Sequence, residues 1–168
     1  MLGAYLGFVW CFARRFIRAP SGRQRFNVLG ALNAITHELV TVTNESYINS
    51  ISVGELLEKI AALGLTTPIT LVMDNARYQR CNYVKDIAAS LNIEILFLPA
   101  YSPNLNLIER LWKFVKKECL YSTYYESFQP FKQAITNCLS ETSGRHKSAL
   151  DTLLTLSFQT FPTSIYDH

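Results

Sequence analysis

The chain of 168 residues reads as one mixed α/β sheet, antiparallel in its early strands and parallel in its later ones, flanked by helices. Three observations predict this. "FNVLGALNA" and "ELVTVTNES" follow each other closely and read as two strands, the second alternating apolar and polar residues as a half-exposed antiparallel strand does. Two later apolar runs, "PITLVM" and "IEILFLP", are short and β-branched. Each of them follows a helical repeat, the order that calls for right-handed crossovers into a parallel half-sheet.

Taken along the chain, Tyr5 to Phe12 is an apolar strand or strand end, and "RAPSGRQR" is a basic turn broken by Pro20, Ser21 and Gly22. Its neighbour, the opening "MLGAYLGFVWCFARRF", is too short to span a bilayer, and its bases follow the apolar run, the wrong order for a signal peptide. The two early strands join around Thr36 and His37. In "SVGELLEKIAALG", Ser52 with Glu55 three residues on forms a capping-box pattern; Leu56, Leu57, Ile60 and Leu63 make the apolar stripe, and Gly64 terminates it. "PITLVM" is expected to be covered on both faces, and it stops at Asp74. "NYVKDIAASLN" repeats the helical pattern, with Asn92 suited to a left-handed cap. Asn104 to Leu120 spans a helix of about four turns. "ESFQPFKQAITNCLSE" is a further helix that needs Pro130 in its first turn. Residues 1–145 are assigned to one domain and 146–168 to a C-terminal tail.

The net charge of +3 is too small to establish a polyanionic partner, but its distribution says more. Arg14, Arg15, Arg18, Arg23 and Arg25 crowd one segment, and Arg110, Lys113, Lys116 and Lys117 another. Cys11, Cys81, Cys119 and Cys138 are scattered, with no CxxC pair and no histidine at zinc-finger spacing. They read as reduced, partly buried thiols of a cytoplasmic protein. No GxGxxG or GxxxxGK occurs, which weighs against a nucleotide-binding domain.

Asp74 lies where an open α/β sheet binds ligands, beyond the carboxyl end of a parallel strand. Alone, Asp-Asn after a strand reads first as a turn or helix cap. Glu109 begins an amphipathic helix whose apolar side is Ile108, Leu111, Trp112, Val115 and Cys119. The plain alternative for Glu109 is an i,i+4 pair with Lys113 on a solvated face, worth about 0.2–0.5 kcal/mol. The stiff "LPAYSPNLNLIE" loop between the two acids fixes where Glu109 emerges relative to the strand end carrying Asp74. Two carboxylates brought together repel each other unless one is protonated or a cation sits between them; hard oxygen donors suit Mg²⁺ or Mn²⁺. Basic neighbours then suit a phosphodiester.

"DNARYQ", then "LPAYSPNLNLIERLWKFVKK", with 34 residues between Asp74 and Glu109, resembles the DDE endonuclease domain of mariner-related insertion-sequence transposases. "GRQRFNVLGALNA" resembles that family's early strands. The resemblance implies a ribonuclease H-like fold and three carboxylates holding two divalent metals, Mg²⁺ or Mn²⁺. It also implies DNA cleavage and strand transfer on transposon ends and target DNA, with a homodimer as the acting form. The second acid maps onto Asp74 and the third onto Glu109, both catalytic and metal-holding. Asn75, Arg77, Tyr101, Asn104, Asn106, Arg110, Lys113, Lys116 and Lys117 become the expected DNA contacts. The first acid has no counterpart, because Asp74 is the first aspartate in the chain and none of Glu38, Glu45, Glu55 and Glu58 falls in an early central strand. A first strand cut short at the chain start is therefore expected, with weak single-metal binding and little cleavage by this chain alone. The alternative is a catalytically inactive transposase fragment that binds DNA or an intact transposase.

Overall fold

The computed structural model describes residues 24–99, 105–121 and 123–157. The expected strand at Tyr5 to Phe12, with its shortened start, lies outside them. The elements are β1 (Asn27–Leu32), β2 (Leu39–Asn44), α1 (Ser50–Ala61), β3 (Ile69–Met73), α2 (Asn82–Ser90), β4 (Ile93–Phe97), α3 (Leu107–Cys119), α4 (Phe128–Ser140) and α5 (Lys147–Leu153). The chain is mixed α/β. Among the described residues its strands form two separate pairs, β1 with β2 antiparallel and β3 with β4 parallel.

The hairpin turn is built by Asn33. Its side-chain oxygen accepts from the N–H groups of Ile35 and Thr36 at 2.9 and 3.0 Å, and its own N–H bonds to Glu38 O. His37 completes the reversal in the left-handed region at φ 61°. Period-two alternation then splits β1 between two cores. Leu29 and Ala31 pack with the α1–α2 layer, while Val28 and Leu32 pack with α3. Gly30 lies on the α3 side, where a Cβ would stand 3.1–3.2 Å from the Trp112 ring and from Ile108 Cδ1. Its missing side chain is what lets α3 approach the strand.

Helix α1 starts earlier than its sequence pattern suggests. Asn49 is the N-cap, accepting from Ser52 N–H at 3.1 Å, and the Ser52 hydroxyl closes the box on the Asn49 N–H. Ser52 therefore occupies the third position of a capping box, and Glu55 pairs with Lys59 at 3.2 Å. The capping box is present, but its register lies three residues earlier than expected, because Asn and Ser both serve at a helix start. Gly64 at φ 64° and Asn92 at φ 54° end α1 and α2 as expected. Pro130 falls in the first turn of α4, where its missing N–H costs nothing.

The apolar stripes of α1 and α2 (Val53, Leu56, Leu57, Ile60, Val84 and Ala88) form one layer beneath both strand pairs, meeting Val42, Met73 and Ile93. A second core joins Leu111, Val115 and Cys119 of α3 to Ile135, Cys138 and Leu139 of α4, with Phe26 and with Leu150 and Leu154 from the C-terminal region. This core covers the opposite face of β1–β2.

Among the described residues, the other face of β3–β4 differs from the expectation of two-sided cover. Ile69, Leu71, Ile95 and Phe97 pack inward, while Val72 and Leu96, directly opposite each other, are 43% and 54% exposed. Beside them Thr70 donates to Glu94 at 2.8 Å. A continuous apolar run satisfies a one-sided strand as well as a two-sided one, so the sequence pattern does not separate the two cases.

Candidate active site

Asp74 follows Met73 at the carboxyl end of β3, and its side chain is exposed. Its Oδ1 accepts the Ala76 N–H at 3.3 Å, turning the chain away from the strand. Gln79 N–H then bonds Ala76 O at 3.0 Å, and the Cys81 thiol reaches Tyr78 O at 3.3 Å. These contacts fold residues 74–81 into successive tight turns that end at α2. The turn reading of Asp74 therefore holds, and the residue stands exposed at the strand end.

Tyr78, partly exposed beside this turn, has its phenol raised above the ordinary range, first by burial and second by the Asp74 carboxylate, with a Gln79 hydrogen bond working against both. Gln79 itself is only 6% exposed, and its Oε1 has no hydrogen-bond partner among the described residues. Such an orphaned acceptor ordinarily costs about 1–3 kcal/mol and is retained where a water or a ligand completes it. Sequence reasoning does not single out Tyr78, Gln79 or Arg80. The "DNARYQR" string names the neighbourhood, but only the fold shows which of its side chains turn inward.

Leu98 N–H bonds Met73 O at 2.8 Å, so the exit of β4 is fastened next to Asp74. From there the loop runs to Asn106, the N-cap of α3. Asn106 Oδ1 accepts from Ile108 N–H at 3.4 Å and its carbonyl accepts from Glu109 N–H at 3.1 Å. Glu109 thus lies in the first turn of α3, half-buried, where the helix dipole favours its charge. Among the described residues it makes no ion pair with Lys113. No hydrogen bond or ion pair joins Asp74 to Glu109 there either, and no three His, Cys, Asp or Glu side chains gather closely enough to hold a metal ion.

The expected DNA contacts divide. Asn75 and Arg77 are exposed beside Asp74, and they line one open concavity together with Arg80 and Cys81. Lys113 and Lys117 are exposed on α3, with Lys116 half-buried near them. Asn106 spends its side-chain oxygen on the cap. Arg110 is committed elsewhere: its guanidinium donates to Leu153 O, Thr155 O and Ser157 O at 3.3, 2.8 and 3.0 Å. Tyr101 and Asn104 lie outside the described residues. Tyr125 packs, its hydroxyl on Cys119 O and its ring at 5.8 Å edge-on to Phe131. Cys81, Cys119 and Cys138 are free thiols. No helix of the described residues is long and apolar enough to cross a membrane.

Asp74 stands at a parallel strand end, and Glu109 lies in the first turn of the helix that follows β4. The sequence pattern of the DDE superfamily endonucleases matches residues 13–132, most of the chain, and the chain belongs to that family. Its fold is similar to that of a chain in the Mos1 transposase paired-end complex with left transposon end. The TM-score is 0.55 at 14% identity, covering 91% of this chain and 51% of that one. The likeness is one of fold, the ribonuclease H-like class expected from the sequence. A chain of the simian T-cell lymphotropic virus intasome in complex with PP2A regulatory subunit B56 gamma matches at TM-score 0.44 and 18% identity, covering 73% of this chain and 43% of that one. The chain spans about half the length of the matched Mos1 chain. No curated protein matches it.

Proposed function

We propose that this chain carries the DNA-cutting domain of an insertion-sequence transposase, in which Asp74 and Glu109 are two of the three acids that hold divalent metal. The observation that carries the reading is the D-34-E frame as it falls on the fold. One acid stands exposed at a parallel strand end, and the other in the first turn of a capped helix reached by the loop fastened beside it. Membership of the endonuclease family supports it.

Mg²⁺ or Mn²⁺, when bound by such carboxylates, supplies charge neutralisation and an activated oxygen for phosphodiester hydrolysis. The described residues meet that requirement only in part, because no three-acid cluster forms among them and Asp74 is the first aspartate of the sequence. No bond-breaking step is therefore assigned to this chain alone. Its own residues do the preparatory work. The loop at 74–81 holds Asp74 toward the strand end, Asn106 fixes the first turn that carries Glu109, and Asn75, Arg77, Lys113, Lys116 and Lys117 offer donors to DNA phosphates. The domain is taken to comprise residues 1–145 with the tail 146–168, and to act as a homodimer on transposon ends and target. The incomplete acid set favours a second reading, a non-cleaving partner that binds DNA or an intact transposase.

A plasmid-nicking assay with Mn²⁺ separates the two. It compares this chain, a version extended upstream by an aspartate-bearing strand, and Asp74→Ala in each. Nicking by the extended version only, abolished by Asp74→Ala, is the expected result. Nicking by this chain alone, abolished by Asp74→Ala, would show that two acids suffice. DNA binding without nicking by any version would establish the non-cleaving reading.

A further inference from the structure

The concavity beside Asp74 is lined by Asn75, Arg77, Arg80 and Cys81, with a volume of about 460 Å³, and it is wide open to solvent. Arg77 and Arg80, both exposed, line it together. Neither takes part in an ion pair among the described residues, whose pairs are His37–Asp151, Lys59–Glu55, Lys132–Glu45 and Lys147–Asp151. Two cations held at one concavity by a tightly turned loop repel each other until an anion joins them. Arginine is also the side chain whose planar donors match phosphate oxygens two at a time.

The polar surroundings point the same way. Asn75 adds an amide. Cys81 is the N-cap of α2 but its side chain makes no cap bond, and the first turn of α2 holds no acid. Among the described residues no side chain caps the leading N–H groups of that helix, and the sign of its dipole adds to the two arginines. A free metabolite is held in an enclosed pocket that buries most of its surface. This open bowl suits a polymer that passes over it.

We infer that this concavity is a seat for one backbone phosphate of the DNA strand addressed at Asp74, with Arg80 as a contact that the sequence pattern does not mark and Arg77 as its partner. The inference rests on the DNA-cutting reading above and adds to it where the strand lies: over the 74–81 loop and the start of α2. Arg80 is here a positioning residue, since it grips the strand next to the acid and does not touch the bond to be broken.

Two measurements on the full chain test it. Binding of a 20-base-pair duplex is followed by fluorescence anisotropy across a range of salt for the wild type, Arg77→Gln, Arg80→Gln and the control Lys85→Gln. Lys85 is exposed on α2 and does not line the concavity. Removing one cation that neutralises a phosphate lowers the slope of log affinity against log salt by about 0.9. The expected result is that drop for Arg80→Gln and for Arg77→Gln, with Lys85→Gln unchanged. Equal slopes for Arg80→Gln and Lys85→Gln would overturn the seat while leaving DNA binding intact. The second measurement titrates inorganic phosphate and follows the backbone amide signals of Cys81, Asn82 and Tyr83 by NMR. Saturable shifts that vanish in the Arg77→Gln, Arg80→Gln double variant support the seat even if the duplex fails to bind. In that case it is the DNA reading that falls. The absence of phosphate shifts in the wild type, with the slopes equal, rejects the seat.

Discussion

Replacing Arg110 by Gln separates two roles that a basic residue on α3 can have. The structure commits its guanidinium to three backbone carbonyls at residues 153, 155 and 157. A charged hydrogen bond is worth about 1.5–3 kcal/mol when it is buried. Here all three acceptors belong to exposed residues, so water replaces most of each bond when the guanidinium is removed. The expected cost is a total of about 1–2 kcal/mol, close to the value of one such bond. For a domain of this size that lowers Tm by roughly 2–8 °C. Arg110→Lys recovers only part of it, because an ammonium cannot span the three carbonyls. Thermal melts followed by circular dichroism give the Tm, and the salt dependence of duplex binding gives the phosphate count. The expected pattern is a lower melting midpoint with an unchanged salt slope. An unchanged Tm together with a slope lowered by about 0.9 would mean that Arg110 faces DNA, and the clamp reading would be wrong.

Leu111→Ala removes three carbons from a fully buried site between α3 and the second core. The transfer loss of about 2.4 kcal/mol plus the cavity left behind brings the expected cost to about 3–4 kcal/mol, read by urea denaturation. A loss below about 1 kcal/mol would place Leu111 outside the core. Asp151 sits between Lys147 at 2.7 Å and His37 at 2.8 Å, and these two, Lys147 first, hold its carboxyl below the usual 3.8. A lowered acid contributes stability that is present above its unfolded value and fades as pH falls through the folded one. The Tm gap between wild type and Asp151→Asn should therefore be small and close on acidification below 3.8. A gap that persists to about pH 2 refutes the ion pairs as its cause.

Most of the element order was legible because helices α1 to α4 carry sharp periodic stripes and recognisable ends. Gly64, Asn92 and Pro130 sit where their backbone preferences place them. The α1 cap is ambiguous in sequence because three polar residues, Asn49, Ser50 and Ser52, compete for one role, and only the hydrogen bonds choose. The candidate site is legible in the sequence only as two acids in a frame. What was not legible were the long-range partners. Nothing local in "IERLWK" says that Arg110 turns to a segment more than forty residues away, and nothing in "ALDTLLTLSF" says that Leu150 and Leu154 complete the core beneath Glu109's helix. Arg80 escapes sequence reasoning for a related reason, since its significance lies in sharing a concavity with Arg77 and not in its own neighbours.

The face of β3–β4 left bare among the described residues has a consequence for how binding at Asp74 behaves energetically. A parallel pair with cover on one side opens for less free energy than strands sandwiched between helices, and such a unit unfolds ahead of the rest. Asp74 sits at the end of that pair, so anything gripping the carboxylate or the 74–81 loop also holds β3 and β4 closed. Ligand affinity there is then reduced by the fraction of molecules in which the pair is open. A strand of DNA held there, as proposed above, would repay that fraction as added rigidity, making ordering of this corner and occupation of the site one linked equilibrium.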